Sequence, residues 1–310
     1  MKTKKILSAL ALGLCLTTLC GCTNTNQKIS FFGYWHTNSI TVDTNIHETL
    51  VYDVTANLSS NLSSLVGYDL SYSDGVYTTE LKNETRDGKS VYVYKTSLAI
   101  SVTYTFKGDS RTFADSVQTE TTFLSESHGL KPISSTKTVV SASPTMGNTQ
   151  TKVEDCYISY QYTLSTTYAE DGSTGSCVLN SNPGQEDAQT NTHDFEIDGK
   201  YSYLDNEQLL FALRGIPASK TSAKVYTYSP YVGKVQTMKI SFATVESDDF
   251  SFFKNGSEEK EKTTISYRPV TITLDEKFSG ETQTVYYAAS GESTNNPNRN
   301  VMLYYEAPLA

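Results

Sequence analysis

The sequence predicts an all-β fold, mainly strands with one helix. Three observations carry this. Nearly every patterned segment alternates apolar and polar residues with period two, the mark of half-buried antiparallel strands. Short turns (Ser73-Asp74-Gly75, Asp87-Gly88-Lys89, Lys107-Gly108-Asp109, His128-Gly129) separate these segments and link them as sequential hairpins. One stretch alone, from Asp205 to Pro217, carries helix start and stop signals.

In chain order, strands are expected at residues 49–56, 68–72 and 76–81, then at 91–106, the longest. In this last segment Tyr92, Tyr94, Leu98, Ile100, Val102, Tyr104 and Phe106 share one face, while Lys95, Ser97, Ser101, Thr103 and Thr105 share the other. At about 3.3 Å per residue such a strand runs ~50 Å and must coil or bend. Strands follow at 112–123, 133–140 and 156–168, the last with Cys156, Ile158, Tyr160, Tyr162 and Leu164 in phase. Residues 182–193 and 291–300 read as polar loops. Asp205-Asn206-Glu207-Gln208 opens the helix, and Gly215 and Pro217 close it. Further strands are expected at 224–228, 235–245, 263–274, 282–287 and 301–305. Pro269 marks a phase slip between the pair Ile265, Tyr267 and the set Val270, Ile272, Leu274, which signals a bulge or an edge.

An amphipathic sheet must bury its apolar face. A ten-residue helix, about 15 Å long and ~10 Å wide, is too small to cover a dozen strands. The expectation is a long antiparallel meander forming a half-barrel around the short helix, as one domain over residues 47–310, with the sheet continuous across the 182–193 loop. The alternative is a two-sheet β-sandwich. Tyrosine is abundant, 22 residues against a single tryptophan. On strand faces it builds either ordinary cross-strand packing or a greasy surface able to hydrogen-bond a ligand. The residues expected to line such a surface are Tyr92, Tyr94, Tyr104, Tyr160, Tyr162, Leu210 and Phe211.

Signals for catalysis are weak. Asp87-Gly88-Lys89-Ser90 ends like a phosphate loop but lies between strands, with Asn83 where the upstream glycine belongs. Ser134-Ser135-Thr136-Lys137 has Ser-x-x-Lys spacing without a helix start or the companion motifs. His36, His47, His128 and His193 are isolated, and Glu246, Asp248 and Asp249 read as a charged turn. No catalytic residue, cofactor or metal is expected, and the chain reads as a non-enzyme.

The first residues say more about location. Lys2, Lys4 and Lys5 precede an apolar run over residues 6–19, followed by Leu19-Cys20-Gly21-Cys22. The run is about 21 Å long as a helix, short of the ~30 Å a membrane span needs. This resembles the leader of a bacterial lipoprotein. The resemblance implies a signal peptide over 1–21, an acylated Cys22 as membrane anchor, a tether over 22–46, and a location on the outer face of the cytoplasmic membrane. Loss of residues 1–21 removes three lysines and no acids, leaving 22 basic and 34 acidic side chains, a net charge of −12. That balance argues against nucleic acid as a partner. Cys156 and Cys177 remain. An exported chain permits a disulfide between them, but a tight hairpin around Asp171-Gly172 would pair Cys177 with about Thr166 and leave Cys156 distant; bonded and free thiols both stay open.

The layout of lipid-anchored start, long meander, inserted helix and further long strands also resembles the half-barrel of Lol-type lipoprotein carriers and receptors. That resemblance covers roughly residues 47–306 and transfers no site residue. It implies a non-catalytic lipoprotein holding a hydrophobic ligand, a lipid or lipidated peptide. The alternative is a structural or adhesive surface lipoprotein with a closed core.

Overall fold

The computed structural model describes residues 27–31, 47–56, 66–217, 219–253, 257–274, 282–289 and 300–307. The leader, Cys22 and residues 32–46 lie outside the described residues. Residues 27–31, assigned to the tether by sequence, are docked on the domain instead. Gln27 N donates to Lys200 O (3.1 Å), Ile29 N donates to Ser202 Oγ (2.9 Å), and Phe31 is buried.

Eight antiparallel strands form the first sheet in chain order: β1 (His47–Val54), β2 (Asp69–Arg86), β3 (Lys89–Phe106), β4 (Asp109–Leu124), β5 (Pro132–Pro144), β6 (Tyr157–Tyr168), β7 (Thr174–Ser181) and β8 (Gln189–Glu196). The expected meander is thus present, and its hairpins follow from local chemistry. Asp87 (φ 50°) and Gly88 (φ 74°) are both left-handed, as a two-residue turn between right-twisted strands requires. The second sheet has seven strands: β9 (Ser202–Tyr203), β10 (Ser222–Ser229), β11 (Lys234–Phe242), β12 (Glu246–Phe253), β13 (Lys260–Leu274), β14 (Thr282–Ala288) and β15 (Met302–Glu306). The fold is therefore mainly β and open, as expected, but the single continuous sheet is not found. Hydrogen bonding stops at β8 and restarts at β9, which pairs parallel to β10.

Other differences have physical reasons. The segments at 68–72 and 76–81 are one strand, because the 18-residue β3 pairs with both and the Ser73-Asp74-Gly75 turn survives only as a bulge. A Cβ on Gly75 would stand 2.4 Å from the Val54 carbonyl oxygen, so the close passage of β1 needs glycine. β8 and β12 replace an expected loop and an expected charged turn. Both lie at sheet margins with almost every side chain exposed, so neither carries a period-two apolar signal. At Pro269, β13 changes neighbour along one edge, from β12 to β11. The phase slip marks that exchange. Cys177 pairs with Thr166, as the turn geometry required, and Cys156 lies at the far end of β6. The two thiols are buried and free, which removes the disulfide alternative.

Between the sheets runs one helical segment: a 3-10 turn (Asn206–Gln208), α1 (Leu209–Ala212) and a second 3-10 turn (Leu213–Gly215). Asp205 caps it, its side chain accepting from Glu207 N (2.8 Å). Leu209, Phe211, Ala212 and Leu213 pack against Leu81, Tyr92, Tyr94 and Phe123 of the first sheet and Val225, Ile240, Val270 and Ile272 of the second. Each such large apolar side chain contributes roughly 1.5–3 kcal/mol. The sheets approach at their margins: Tyr52 OH donates to Met302 O (2.9 Å), and the Phe195 and Tyr228 rings stack at 4.2 Å. A smaller core covers the other end of the first sheet, where Tyr68, Val102, Tyr104, Val153 and Cys156 pack together.

Arg214, at the end of the helical segment, makes a two-pronged ion pair with Glu48 of β1 (2.6 and 3.0 Å), and its side chain is only 5% exposed. The pair ties the first strand to the helix across 166 residues. Glu48→Gln leaves the guanidinium buried without its counter-charge and is expected to destabilise the fold by about 3 kcal/mol. A urea midpoint unchanged from wild type contradicts this role.

Candidate functional site

The register of the first sheet defines which residues face the helix. Tyr92 and Tyr94 pack on Phe211, at ring-centroid distances of 5.4 and 5.8 Å, so residues in phase with them on β3 lie on that same side. Next to the helix this face is covered. Farther along it, Tyr77, Leu98, Val117, Val139 and Tyr162 stand in one cross-strand row over β2 to β6. Of these only Val139 is buried; the other four are half-buried. Tyr160 lies two residues from Tyr162, half-buried, with its ring 6.1 Å away and within 9° of parallel. From β3 to β6 the row is about 14 Å wide, at ~4.8 Å per strand step. It forms an apolar strip between two packed cores.

On the helix side of the strip lies a second cross-strand row, Thr96, Thr119, Lys137 and Leu164. Thr96 and Thr119 share a hydroxyl hydrogen bond (2.7 Å), and Lys137 Nζ pairs with Glu207 Oε1 (3.2 Å). Next to this pair, Asp205 gathers the start of the helical segment. Its Oδ2 accepts from Ser135 Oγ and Tyr168 OH, each at 2.5 Å, while Oδ1 accepts from Glu207 N. Burial, with Asp205 nearby, pushes the Glu207 carboxyl up despite Lys137. Glu207 in turn holds Lys137 above its ordinary value, which favours the charged lysine. A recess of about 30 Å³ opens here, walled by Ser135, Lys137, Leu164, Thr166, Tyr168, Asp205 and Tyr228 among others.

The sequence-chosen residues divide into three places. Tyr92, Tyr94 and Phe211 do come together, but their rings fill the space between sheet and helix instead of lining an opening. Leu210 is half-buried, and its carbonyl accepts from Tyr287 OH (2.7 Å). Tyr104 is fully buried in the far core, donating to the Ala142 carbonyl. Tyr160 and Tyr162 alone lie on the strip. Ser134 and Lys137, three apart on β5, project to opposite faces and form no dyad. Among the described residues no three His, Cys, Asp or Glu side chains stand together as a metal set, and no helix is long and apolar enough to cross a membrane. Sequence reasoning missed Leu98, Val117 and Val139 as a row, although each was in phase within its own strand. It also missed Asp205, Glu207, Ser135 and Tyr228, which lie far apart in the chain and meet only through the fold.

No protein-family model matches the chain, and no curated protein does. Among solved structures, a beta-barrel-like protein of a domain of unknown function (DUF1849) from Brucella abortus is similar at 12% identity and TM-score 0.37, over 77% of this chain and 85% of that one. At that level the likeness carries no argument about function.

Burial lifts many phenols of the two sheets: Tyr305, beside Glu207, is pushed up to about 12, and Tyr94, Tyr168 and Tyr203 are held higher. A phenol raised in the folded chain holds its proton more tightly there. Its contribution to stability is therefore complete below about pH 10 and lost as pH climbs towards the folded value, at up to ~1.4 kcal/mol per pH unit for each ring. Phenolate absorbance is expected to rise mainly in a cooperative step that coincides with loss of the β circular-dichroism signal. A single smooth titration near pH 10 with the fold intact contradicts this.

Proposed function

We propose that this chain is a non-catalytic, membrane-tethered lipoprotein on the outer face of the bacterial cytoplasmic membrane. It is held by acylated Cys22 and binds the apolar part of a lipid or lipidated peptide on the Leu98–Tyr162 strip. The observation that carries the reading is the half-buried row Leu98, Val117 and Tyr162, apolar side chains left between two cores by a helix too short to reach them. The leader supports the location, and the acidic mature chain suits a domain held off anionic lipid heads. The buried rings beside the helix (Tyr92, Tyr94, Phe211) support packing and not cargo, so the ligand is assigned to the strip. That filled helix core also favours a second reading, an anchored structural or adhesive scaffold.

Native mass spectrometry of the purified full-length protein separates the two: the binding reading expects a co-purified amphiphile, and the scaffold reading expects none in repeated preparations. Val117→Asp on the strip is expected to weaken binding of the fluorescent probe N-phenyl-1-naphthylamine about tenfold or more, the equivalent of one lost apolar contact. An unchanged titration contradicts binding on the strip.

A further inference from the structure

One carboxylate borders the strip without a counter-charge. In the next row towards the far core, Asp115 lies opposite Ile100, and Ser141 opposite Tyr160. Asp115, Ser141 and Tyr160 are all half-buried. Asp115 Oδ2 accepts from Ser141 Oγ (2.6 Å) and Oδ1 from Ala142 N (2.9 Å), just past the point where β5 parts from β4. Both donors are neutral, and an ionised carboxylate offers about four acceptor positions, so room for a further donor remains. Capping the Ala142 amide needs an acceptor and not a charge; asparagine would serve. Yet among the described residues no lysine, arginine or histidine is paired with Asp115. Arg111, on the same face of β4, is held by Glu154 (2.8 Å). Lys137, at the opposite border of the strip, is held by Glu207 (3.2 Å). Burial and, after it, the Asp115 charge push the Tyr72 phenol up, so the carboxylate acts on its apolar surroundings.

We propose that Asp115 receives the ammonium head of a cationic amphiphile whose hydrocarbon part lies on the strip along Leu98, Val117 and Tyr162. The assignment rests on the binding reading above and names its ligand class. Charge complementarity carries it. A carboxylate or phosphate head would meet Asp115 directly, and the cation at the other border, Lys137, already has Glu207. A hydroxyl head would gain a hydrogen bond but no ion pair. An ammonium brings three donors and the missing charge, and the Tyr160 ring beyond Ser141 adds the attraction of an aromatic face for a cation.

The test uses the full-length protein at neutral pH with N-phenyl-1-naphthylamine bound and three competitors of equal chain length: dodecylamine, dodecanol and laurate. Dodecylamine is expected to displace the probe at a concentration about tenfold lower than dodecanol, the advantage of a charge-assisted over a neutral hydrogen bond. Laurate is expected to be the weakest. Asp115→Asn keeps an acceptor for the Ala142 amide and removes the charge. It is expected to erase the difference between amine and alcohol and leave probe affinity unchanged. Ser141→Lys supplies an ammonium of the chain's own beside Asp115 and is expected to erase the same difference, which keeps the test readable should Asp115→Asn fail to fold. Equal displacement by amine and alcohol in the wild type, a preference for laurate, or an amine preference that survives either variant overturns the head-group assignment, while probe binding keeps the strip. Failure of the probe to bind the wild type overturns the strip reading and this assignment together.

Discussion

A pleated face longer than its cover is the constraint on which this architecture turns. β3 has 18 residues, about 60 Å of strand at ~3.3 Å each, and its helix-facing side is apolar almost throughout. The helical segment from Asn206 to Gly215 is far shorter. Two separate cores answer the mismatch. At one end the helix fills the gap between the sheets, and at the other Val153 and Cys156 pack over Val102 and Tyr104. The stretch between them is half-buried, and every functional statement about the chain depends on that stretch.

The cover is held from its ends. Asp205 fixes the start of the helical segment to β5 and β6 through Ser135 and Tyr168. Arg214 fixes its end to β1 through Glu48. The segment is therefore pinned across the sheet, from the first strand to the sixth, and its apolar side chains have a defined place against both sheets. Few of these polar partners are near one another in the chain, which is why a ten-residue segment orders a meander of eight strands.

Much of this was legible before any coordinates. Period-two runs and Gly turns gave the meander, and the Asp205 cap and Gly215-x-Pro217 stop gave the helix. The position of Asp171-Gly172 gave the pairing of Cys177 with Thr166 and hence the separation of Cys156. What stayed hidden depends on pairing between distant segments. Hydrophobicity marks Tyr94 and Leu98 alike as inward-facing; only the register, and the length of the helix laid on it, makes the first a core residue and the second part of an open row. Edge strands β8 and β12 were hidden for the opposite reason: they bury little on either face, so no alternation records them. The break between β8 and β9 has no local signature that I-V-L-rich strands would give, since β9 is two residues long.

The central claim, that the middle of the helix-facing surface is open and takes an apolar guest, is tested most directly at Leu98. With Cys156 and Cys177 buried, a Leu98→Cys variant carries one accessible thiol on that face. The account predicts that this thiol reacts with monobromobimane in the folded protein, and that prior saturation with N-phenyl-1-naphthylamine protects it. A thiol at residue 98 that stays unreactive until the protein unfolds, or one that the probe leaves unprotected, would contradict it.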